Sequence, residues 1–491
     1  MSCYKYLLSC AIIVCGVSCT EEEDNPVNPV QDGKSIMTDV SGSTVVNYGN
    51  IELGIGKGDI VFEMNSQVIT PQGKHWEYTL NCCAMGAATL KDGVQDNTTP
   101  VTNVTMINKG TITVHTHDLV EKYVDQIQSP ENPGLRYKYL RLIGLYAGKN
   151  SKVVNDGVIN VYFDHDPLVT PTIYVMGLIA GEGSEIINNG EINFYGMGSI
   201  NTRLRGIGTY SDNINIVNNG LITADVSLAD DSRAITTGGT LTNVVNEGTI
   251  RLRLPCSVYS MTRYGDTHLT NNGTIEITST NVPEEYQALA NPQNCIQCAL
   301  YEPLQAVRTG MPPMINNGKI FLKMDESGTP NPNRKLYGML FDLQDAVAEN
   351  LNVTIVNTGS IQLDTPPNST YEMAEVSFSA RMNAMSGACN VTLGTWKTKL
   401  RDFRTTRDLF QARCVKMDFS QGTLLLDADD SYENGTSYSI APEDLMINLG
   451  AKMNLRYEYS GYDQLMVKPA NENYSLNWDK EARTASLTKK N

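Results

Sequence analysis

The chain has 491 residues, with 38 Lys and Arg against 54 Asp and Glu, and its formal net charge is −16 at pH 7. Because such a chain lacks the positive charge that neutralises phosphates, the composition disfavours nucleic acid as a general partner. Its length would ordinarily indicate about three domains. A repeat array escapes that rule, since it grows in one dimension.

The first segment, MSCYKYLLSCAIIVCGVS, has the layout of a secretory signal peptide. Lys5 precedes an apolar run that ends at Val17 and is too short for a permanent membrane helix. Ser18 and Cys19 follow, and this pattern resembles a lipobox, in which the cysteine is lipidated and becomes the new N-terminus. We therefore predict a lipoprotein signal peptide over residues 1–18 and a lipid anchor on Cys19.

Residues 19–39 are predicted to form a lipidated acidic tether. Four acids follow the cysteine almost directly: Glu21, Glu22, Glu23 and Asp24. This run resembles the export signal of Bacteroidetes-type surface lipoproteins, which implies a lipid-anchored protein of the outer membrane that is exposed at the cell surface. A solvated charge run in a linker is the alternative interpretation.

One pattern recurs nine times after the tether: an asparagine, a glycine two residues later and an isoleucine two residues after that. The asparagines are Asn47, Asn108, Asn155, Asn188, Asn218, Asn246, Asn271, Asn316 and Asn357. The sixth residue past each asparagine is apolar, and the fifth is polar in eight of the nine copies, which is the alternation of a strand with one buried face. The unit is therefore strand, tight turn and strand, and we expect the glycine to supply a positive φ.

An Asn-Gly turn often marks a hairpin, but a hairpin does not explain why the same columns recur along hundreds of residues. Stacked coils do explain it, because the isoleucines and asparagines of successive coils would then lie over one another. A third strand lies upstream, as in RLIGLYAG at 141–148 and YVMGLIAG at 174–181. We predict an all-β chain, a single-stranded parallel β-helix over 40–430, with a C-terminal cap or small β-module over 431–491.

The spacing of the copies, from 25 to 61 residues, indicates loops inserted between coils. A tenth, degenerate copy is predicted at Ser420, Gly422 and Leu424. The repeat resembles those of bacterial β-helix adhesins and pectin-lyase-like proteins. That resemblance implies the fold and is nearly silent about function.

Arg205 and Arg233 lie thirteen residues before their asparagines, which places them in one column on successive coils. Stacked guanidinium groups repel unless an anion lies between them. Asp230 and Asp231 could supply that charge internally, and a bound uronate or sulfate is the alternative. These four residues are the candidate ligand-binding residues.

No catalytic constellation is evident in the sequence, and we predict no metal site. His115 and His117 lie two apart on one predicted strand face, without a third ligand, and FDHDP at 163–167 is read as a solvated loop rather than a calcium loop. Tyr146, Tyr174 and Tyr210 could stack on sugars or fill the core. Seven cysteines are read as mostly buried free thiols with their pairing open: Cys82, Cys83, Cys256, Cys295, Cys298, Cys389 and Cys414.

Three functions are considered, and the sequence favours the first because it shows no catalytic constellation. The first is a surface adhesin or glycan-binding β-helix without catalysis, whose partner is an extracellular glycan or a host or cell-surface protein. The second is a lyase or hydrolase that acts on acidic glycans near Arg205 and Arg233. The third is a structural spacer of a surface assembly.

Overall fold

The computed structural model describes residues 35–54, 59–70, 73–209, 211–263, 266–287, 295–303, 312–325, 334–342, 353–364, 372–378, 389–392, 395–399, 415–428, 432–442 and 457–490. The predicted signal peptide, Cys19 and the acidic run from Glu21 to Asp24 lie outside these residues. The chain divides into two compact units, Met1–Asp230 and Asp231–Asn491.

The first unit is built from three sheets that are mostly parallel. Each turn of the chain adds one strand to two of these sheets, and the third sheet also contains the additional strands between residues 60 and 95. The asparagine sheet contains Thr44–Asn47, Thr105–Asn108, Lys152–Asn155, Glu185–Asn188 and Asn215–Asn218. The isoleucine sheet contains Asn50–Leu53, Thr111–His115, Val158–Phe163, Glu191–Gly198 and Leu221–Leu228. The upstream sheet contains Ile36–Thr38, Ile60–Thr70, Gly73–Ala87, Leu90–Lys91, Val94–Gln95, Tyr137–Ala147, Ile173–Ala180 and Thr202–Thr209. One α-helix, His117–Tyr123, and a 3₁₀ turn, Val124–Gln126, follow the second isoleucine strand.

The second unit repeats the same plan. Its asparagine sheet contains Asn243–Asn246, His268–Asn271, Met314–Asn316, Val353–Asn357, Cys389–Thr392, Val415–Asp418 and Tyr457–Ser460. Its isoleucine sheet contains Thr249–Leu254, Thr274–Ser279, Lys319–Met324, Ser360–Asp364, Thr395–Lys399, Thr423–Asp427 and Met466–Pro469. Its upstream sheet contains Asp231–Thr237, Ser257–Thr262, Cys295–Pro303, Arg334–Asp342 and Glu372–Phe378, and 3₁₀ turns lie at Glu284–Tyr286 and Tyr462–Gln464. Each unit is therefore a parallel β-helix, which confirms the predicted fold class.

The repeat isoleucines stack as predicted. In the first unit Ile112 pairs in register with Ile159, and Ile192 pairs with Ile222. Their side chains are fully buried, as are those of the equivalent column in the second unit. Burying one such side chain contributes about 1.5–3 kcal/mol, so a column of stacked isoleucines is a principal source of stability for each helix.

The repeat asparagines form the predicted side-chain ladder. In the first unit the Nδ2 of Asn108 donates to Oδ1 of Asn155 at 2.8 Å, and Asn188 donates to Asn218 at 2.7 Å. In the second unit Asn271 donates to Asn316 at 2.7 Å. These amides are buried, and each hydrogen bond satisfies a polar group that would otherwise be costly inside the protein.

The predicted reason for the repeat glycine was wrong. Gly157 and Gly190 have no φ in the left-handed region. A Cβ on Gly190 would instead overlap the carbonyl oxygen of Gly157, and one on Gly318 would overlap that of Gly273 in the second unit. The turns therefore need glycine because successive backbones approach one another too closely for any side chain.

The second unit contains two rungs that lack the repeat motif. Trp396 takes the isoleucine position opposite Ile361, and Val467 takes it opposite Leu424, the predicted degenerate copy. The tail also forms a small antiparallel sheet from Tyr438–Ser439, Tyr474–Asp479 and Thr484–Lys489. The tail thus combines a further rung with a separate small sheet.

Among the cysteines that the structure describes with their side chains, Cys82, Cys83 and Cys295 are buried thiols. The thiols of Cys256 and Cys298 donate to the carbonyl oxygens of Ser257 at 3.4 Å and Leu300 at 3.0 Å. Burial raises the pKa of the Cys82 and Cys83 thiols, so they behave as small core residues. Within the described part of the chain, no helix has the length and apolar character needed to cross a membrane.

Candidate functional site

An aromatic ladder lies on the outward face of the isoleucine sheet in the first unit. It is formed by His115, Tyr162 and Tyr195, which pair in register on three successive strands. Each follows a buried core residue directly, and strand alternation therefore directs its side chain outward. Tyr162 is 39% exposed and Tyr195 is 36% exposed. The ladder thus presents three rings to solvent on a rigid, hydrogen-bonded sheet.

The rings of the ladder contact one another. The centroids of His115 and Tyr162 lie 5.3 Å apart with an interplanar angle of 17°, and those of Tyr162 and Tyr195 lie 6.0 Å apart at 32°. Both separations fall in the range of favourable aromatic pairs. Each ring therefore restricts the rotation of its neighbour, while both tyrosines stay more than a third exposed.

Carboxylates lie at both ends of the ladder. At one end, Oδ2 of Asp164 is 3.1 Å from Nδ1 of His115. At the other end, Asp225 pairs in register with Tyr195 and is exposed. Burial opposes ionisation of Asp164, but hydrogen bonds from the His117 amide and from His115 and Thr116 outweigh it and lower the Asp164 pKa. Asp164 is therefore an anion at neutral pH.

Polar side chains run beside the rings, five residues past each repeat asparagine. Asn193 is buried and donates from Nδ2 to Oδ1 of Asn160 at 3.0 Å and to Oε2 of Glu191 at 3.2 Å. Asn160 is half-buried, and Glu191 is exposed. The buried amide of Asn193 therefore fixes two groups that a ligand on this face would meet.

The phenol of Tyr195 remains protonated over the physiological range. Partial burial raises its pKa, and the negative charges of Glu191 and Asp225 and the neighbouring Tyr162 raise it further. The hydroxyl can accordingly donate a hydrogen bond to an acceptor on a ligand.

The chain leaves the ladder through a corner centred on Thr116. The Thr116 hydroxyl is 2.7 Å from Nδ1 of His165 and 3.1 Å from Oδ1 of Asp164, which also accepts from the His117 amide at 2.7 Å. Burial lowers the pKa of His165 to about 4, against the opposing charges of Asp164 and Asp166. His165 is thus neutral at pH 7 and fixes the two loops that meet at this corner.

A groove of about 620 Å³ lies between the loops that follow the isoleucine strands of the same two rungs. Its walls come from residues 124–135 and 168–171 and include Asp125, Glu131 and the exposed Leu168. Thr170 bridges the loops by donating from Oγ1 to Oε2 of Glu131 at 3.2 Å. The lining contains two carboxylates and neither Lys nor Arg.

The structure places the predicted ligand-binding residues away from the ladder's sheet, on upstream strands of the two units or next to them. In the first unit Arg205 is 2% exposed and donates to the carbonyl oxygen of Leu204 at 2.7 Å, while Asp230 is bound at 2.8 Å by Arg203. In the second unit Arg233 binds Asp231 at 3.0 Å. A role in ligand binding for these four residues stays a prediction.

The histidines depart from the predicted common strand face. His115 ends its strand and contacts Asp164, whereas His117 begins the helix because the chain turns at Thr116. Potential ligand atoms of His117, Asp118 and Glu121 lie within 4.8 Å of one another, and all three residues are exposed. All three lie on the surface of a short helix, where Nε2 of His117 is 3.6 Å from Oε2 of Glu121.

Of the two predicted alternatives for the upstream tyrosines, stacking on sugars or filling the core, the burial of Tyr146 and Tyr174 favours the second. Tyr146 and Tyr174, on the upstream sheet, are 8% and 9% exposed, and Tyr210 lies outside the described residues. Tyr162 and Tyr195 were missed. The sequence does contain a pattern that marks these rings. One position beyond the apolar sixth residue, three successive copies have a ring at the seventh position past the asparagine: His115, Tyr162 and Tyr195.

Two overlapping segments, residues 31–191 and 84–220, match the family model of the BigA third pectate lyase-like domain. The fold is a pectate-lyase-like parallel β-helix. All three rings of the ladder lie within the matched segments. No curated protein and no solved structure matches the chain significantly.

Proposed function

We propose that this protein is a glycan-binding β-helix of the adhesin type that binds its ligand without catalysis. The aromatic ladder is the observation that carries the proposal. Sugars present C–H faces and hydroxyls, and an exposed phenol offers an apolar ring body together with a hydrogen-bonding tip. The ladder repeats this combination on neighbouring rungs, as a polymer of repeating sugars would require.

The ladder is ordered before a ligand arrives. Its backbone is paired on both sides by parallel strands, and its rings contact one another. Because a pre-organised surface loses little side-chain freedom on association, more of the contact energy appears as affinity. Rigid rings on a flat sheet therefore suit a weakly structured, extended ligand.

Two observations support binding rather than bond cleavage. Hydrogen bonds lower the pKa of Asp164, the carboxylate next to the ladder, whereas a general acid needs a raised pKa at neutral pH. Arg205, the basic residue invoked for a lyase, is buried and hydrogen-bonded within its own unit. Neither residue stands ready for proton transfer to a bound sugar.

We also propose that the protein is held at the cell surface. Lipidation of Cys19 and export through Glu21, Glu22, Glu23 and Asp24 would hold the β-helix at the cell surface, where extracellular glycans or other cells are the available partners. A substitution of Cys19 should then release the protein from the membrane fraction without affecting glycan binding.

The test uses the chain from Cys19 onward, with Cys19→Ala to keep it soluble, and a panel of polysaccharides. Binding is read by co-sedimentation, and new reducing or unsaturated ends are read in the same tubes. We expect binding without new ends, and the double substitution Tyr162→Ala with Tyr195→Ala should weaken it at least about tenfold, or ~1.4 kcal/mol. Tyr48→Ala, at another exposed tyrosine of the first unit, is the matched control.

New ends that depend on the protein would overturn the non-catalytic assignment. Binding that is unchanged in the double variant would remove the ladder from the site. Because both tyrosines are exposed, the substitutions should leave the fold intact, and circular dichroism checks this directly.

A further inference from the structure

The ladder's strands carry acidic side chains, and His115 is their one basic residue. Its five strands, Asn50–Leu53, Thr111–His115, Val158–Phe163, Glu191–Gly198 and Leu221–Leu228, contain neither Lys nor Arg. Their outward charged residues are Glu52, Glu191 and Asp225, and Asp164 follows at the third strand's end. The one titratable nitrogen, on His115, already contacts Asp164.

The adjoining groove has the same sign. Asp125 and Glu131 line it, and no lining residue is Lys or Arg. Carboxylates therefore occur both on the ladder's strands and in the lining of this groove. Coulomb repulsion between like charges a few ångströms apart is appreciable even near a protein surface.

We infer that the ladder and its groove take a glycan without anionic groups, either a neutral chain or one that carries protonated amines. This inference rests on the proposed function. Neutral sugars hydrogen-bond to the phenols and carboxylates, and protonated amines gain favourable contacts with both carboxylates and ring faces. Uronates and sulfates meet Asp164, Glu191 and Asp225 with no guanidinium to receive them.

The inference separates the ladder from the arginine column that suggested an acidic ligand. Arg205 is buried, and Arg233 is held by Asp231 at 3.0 Å in the second unit. Neither residue belongs to the ladder's strands. An acidic glycan would therefore find neither Lys nor Arg on the ladder's strands.

The experiment measures the affinity of the soluble Cys19→Ala chain for three probes: a neutral linear β-glucan, a chitosan oligosaccharide and polygalacturonate. We expect the neutral or the amino-bearing probe to bind, and polygalacturonate to bind at least about tenfold more weakly. Asp225→Lys should raise the affinity for polygalacturonate and make it decrease with added salt. Asp364→Lys, the same change at the same repeat position in the second unit, is the matched control and should change nothing.

The outcomes distinguish a failure of the charge inference from a failure of the proposed glycan-binding function. Polygalacturonate binding that equals or exceeds that of the other probes, and that Tyr162→Ala with Tyr195→Ala abolishes, would overturn the charge inference and leave the glycan-binding function standing. An unchanged affinity for polygalacturonate in Asp225→Lys would also contradict it. Absence of binding to all three probes would overturn the proposed function itself.

Discussion

The isoleucine sheets of the two units have inward faces of the same composition, with buried repeat isoleucines, but their outward faces differ. At the seventh position past the asparagine, the first unit has three rings, His115, Tyr162 and Tyr195, as well as Gly54 and Asp225. The second unit has no ring there, and its residues are Arg253, Thr278, Lys323 and Asp364. There Arg253 pairs with Asp325 at 2.8 Å, and Arg251 pairs with Glu276 at 2.6 Å. The same repeat therefore supports an aromatic surface in one unit and a salt-bridged surface in the other.

This difference separates the positions that determine the fold from the positions that can vary and carry a function. Inward and turn positions are fixed because each side chain must fit against its copy on the next rung. Outward positions contact mainly solvent and can vary from rung to rung without cost to the core. A surface ion pair contributes only about 0–1 kcal/mol, so the second unit's charges add little stability.

The largest expected effect comes from the turn glycines, which should behave alike in both units. Gly190→Ala and Gly318→Ala each place a Cβ against the carbonyl oxygen of the preceding rung. Because backbone must move to relieve this overlap, we expect each to cost about 3 kcal/mol or more, seen as a lower urea midpoint or loss of soluble protein. Gly134→Ala is the control, since a Cβ there meets no atom within 4 Å. Tolerance of either turn substitution would contradict the close approach of the rungs.

A smaller effect, confined to the first unit, should come from His165. Its pKa is about 4 in the folded protein against 6.5 for the free side chain, so the unfolded chain takes up the proton first as the pH falls. The stability contributed by neutral His165 is therefore complete above about pH 6.5 and is lost between pH 6.5 and 4, by up to about 3 kcal/mol.

The measurement compares urea midpoints at pH 7 and pH 4.5 for the wild type and His165→Gln. His165→Gln should reduce the difference between the urea midpoints at pH 7 and pH 4.5. The control is His268→Gln, at an exposed histidine of the second unit. An equal pH dependence in the wild type and His165→Gln would show that the corner at Thr116 does not depend on a neutral imidazole.

Much of the fold was predictable because stacking imposes the same residue at the same position in every rung. The isoleucine column and the asparagine ladder were read from spacing alone, and both are present. The rungs at Trp396 and Val467 were not predicted because a residue other than isoleucine stands at the isoleucine position, so the motif is absent there. The role of Gly190 was misread, since sequence alone does not distinguish a turn conformation from a close backbone approach.

The candidate site was less predictable, for a physical reason. Charge and repeat position indicated Arg205, but the repeat position of a side chain does not reveal whether a loop or a neighbouring ring covers it. The rings of Tyr162 and Tyr195 lie in a column that has no constant residue across the nine copies. Only the strand pairing shows that they are neighbours on one exposed face.

Oxidative footprinting of the tyrosines, with and without a saturating neutral β-glucan or chitosan oligosaccharide, tests the central claim most directly. Tyr162 and Tyr195 should become protected from hydroxyl radicals when the glycan is present, whereas exposed Tyr48 in the first unit and Tyr459 in the second should react as before. Protection of Tyr48 or Tyr459, with Tyr162 and Tyr195 still reactive under conditions where the glycan is bound, would place the site elsewhere and contradict the account.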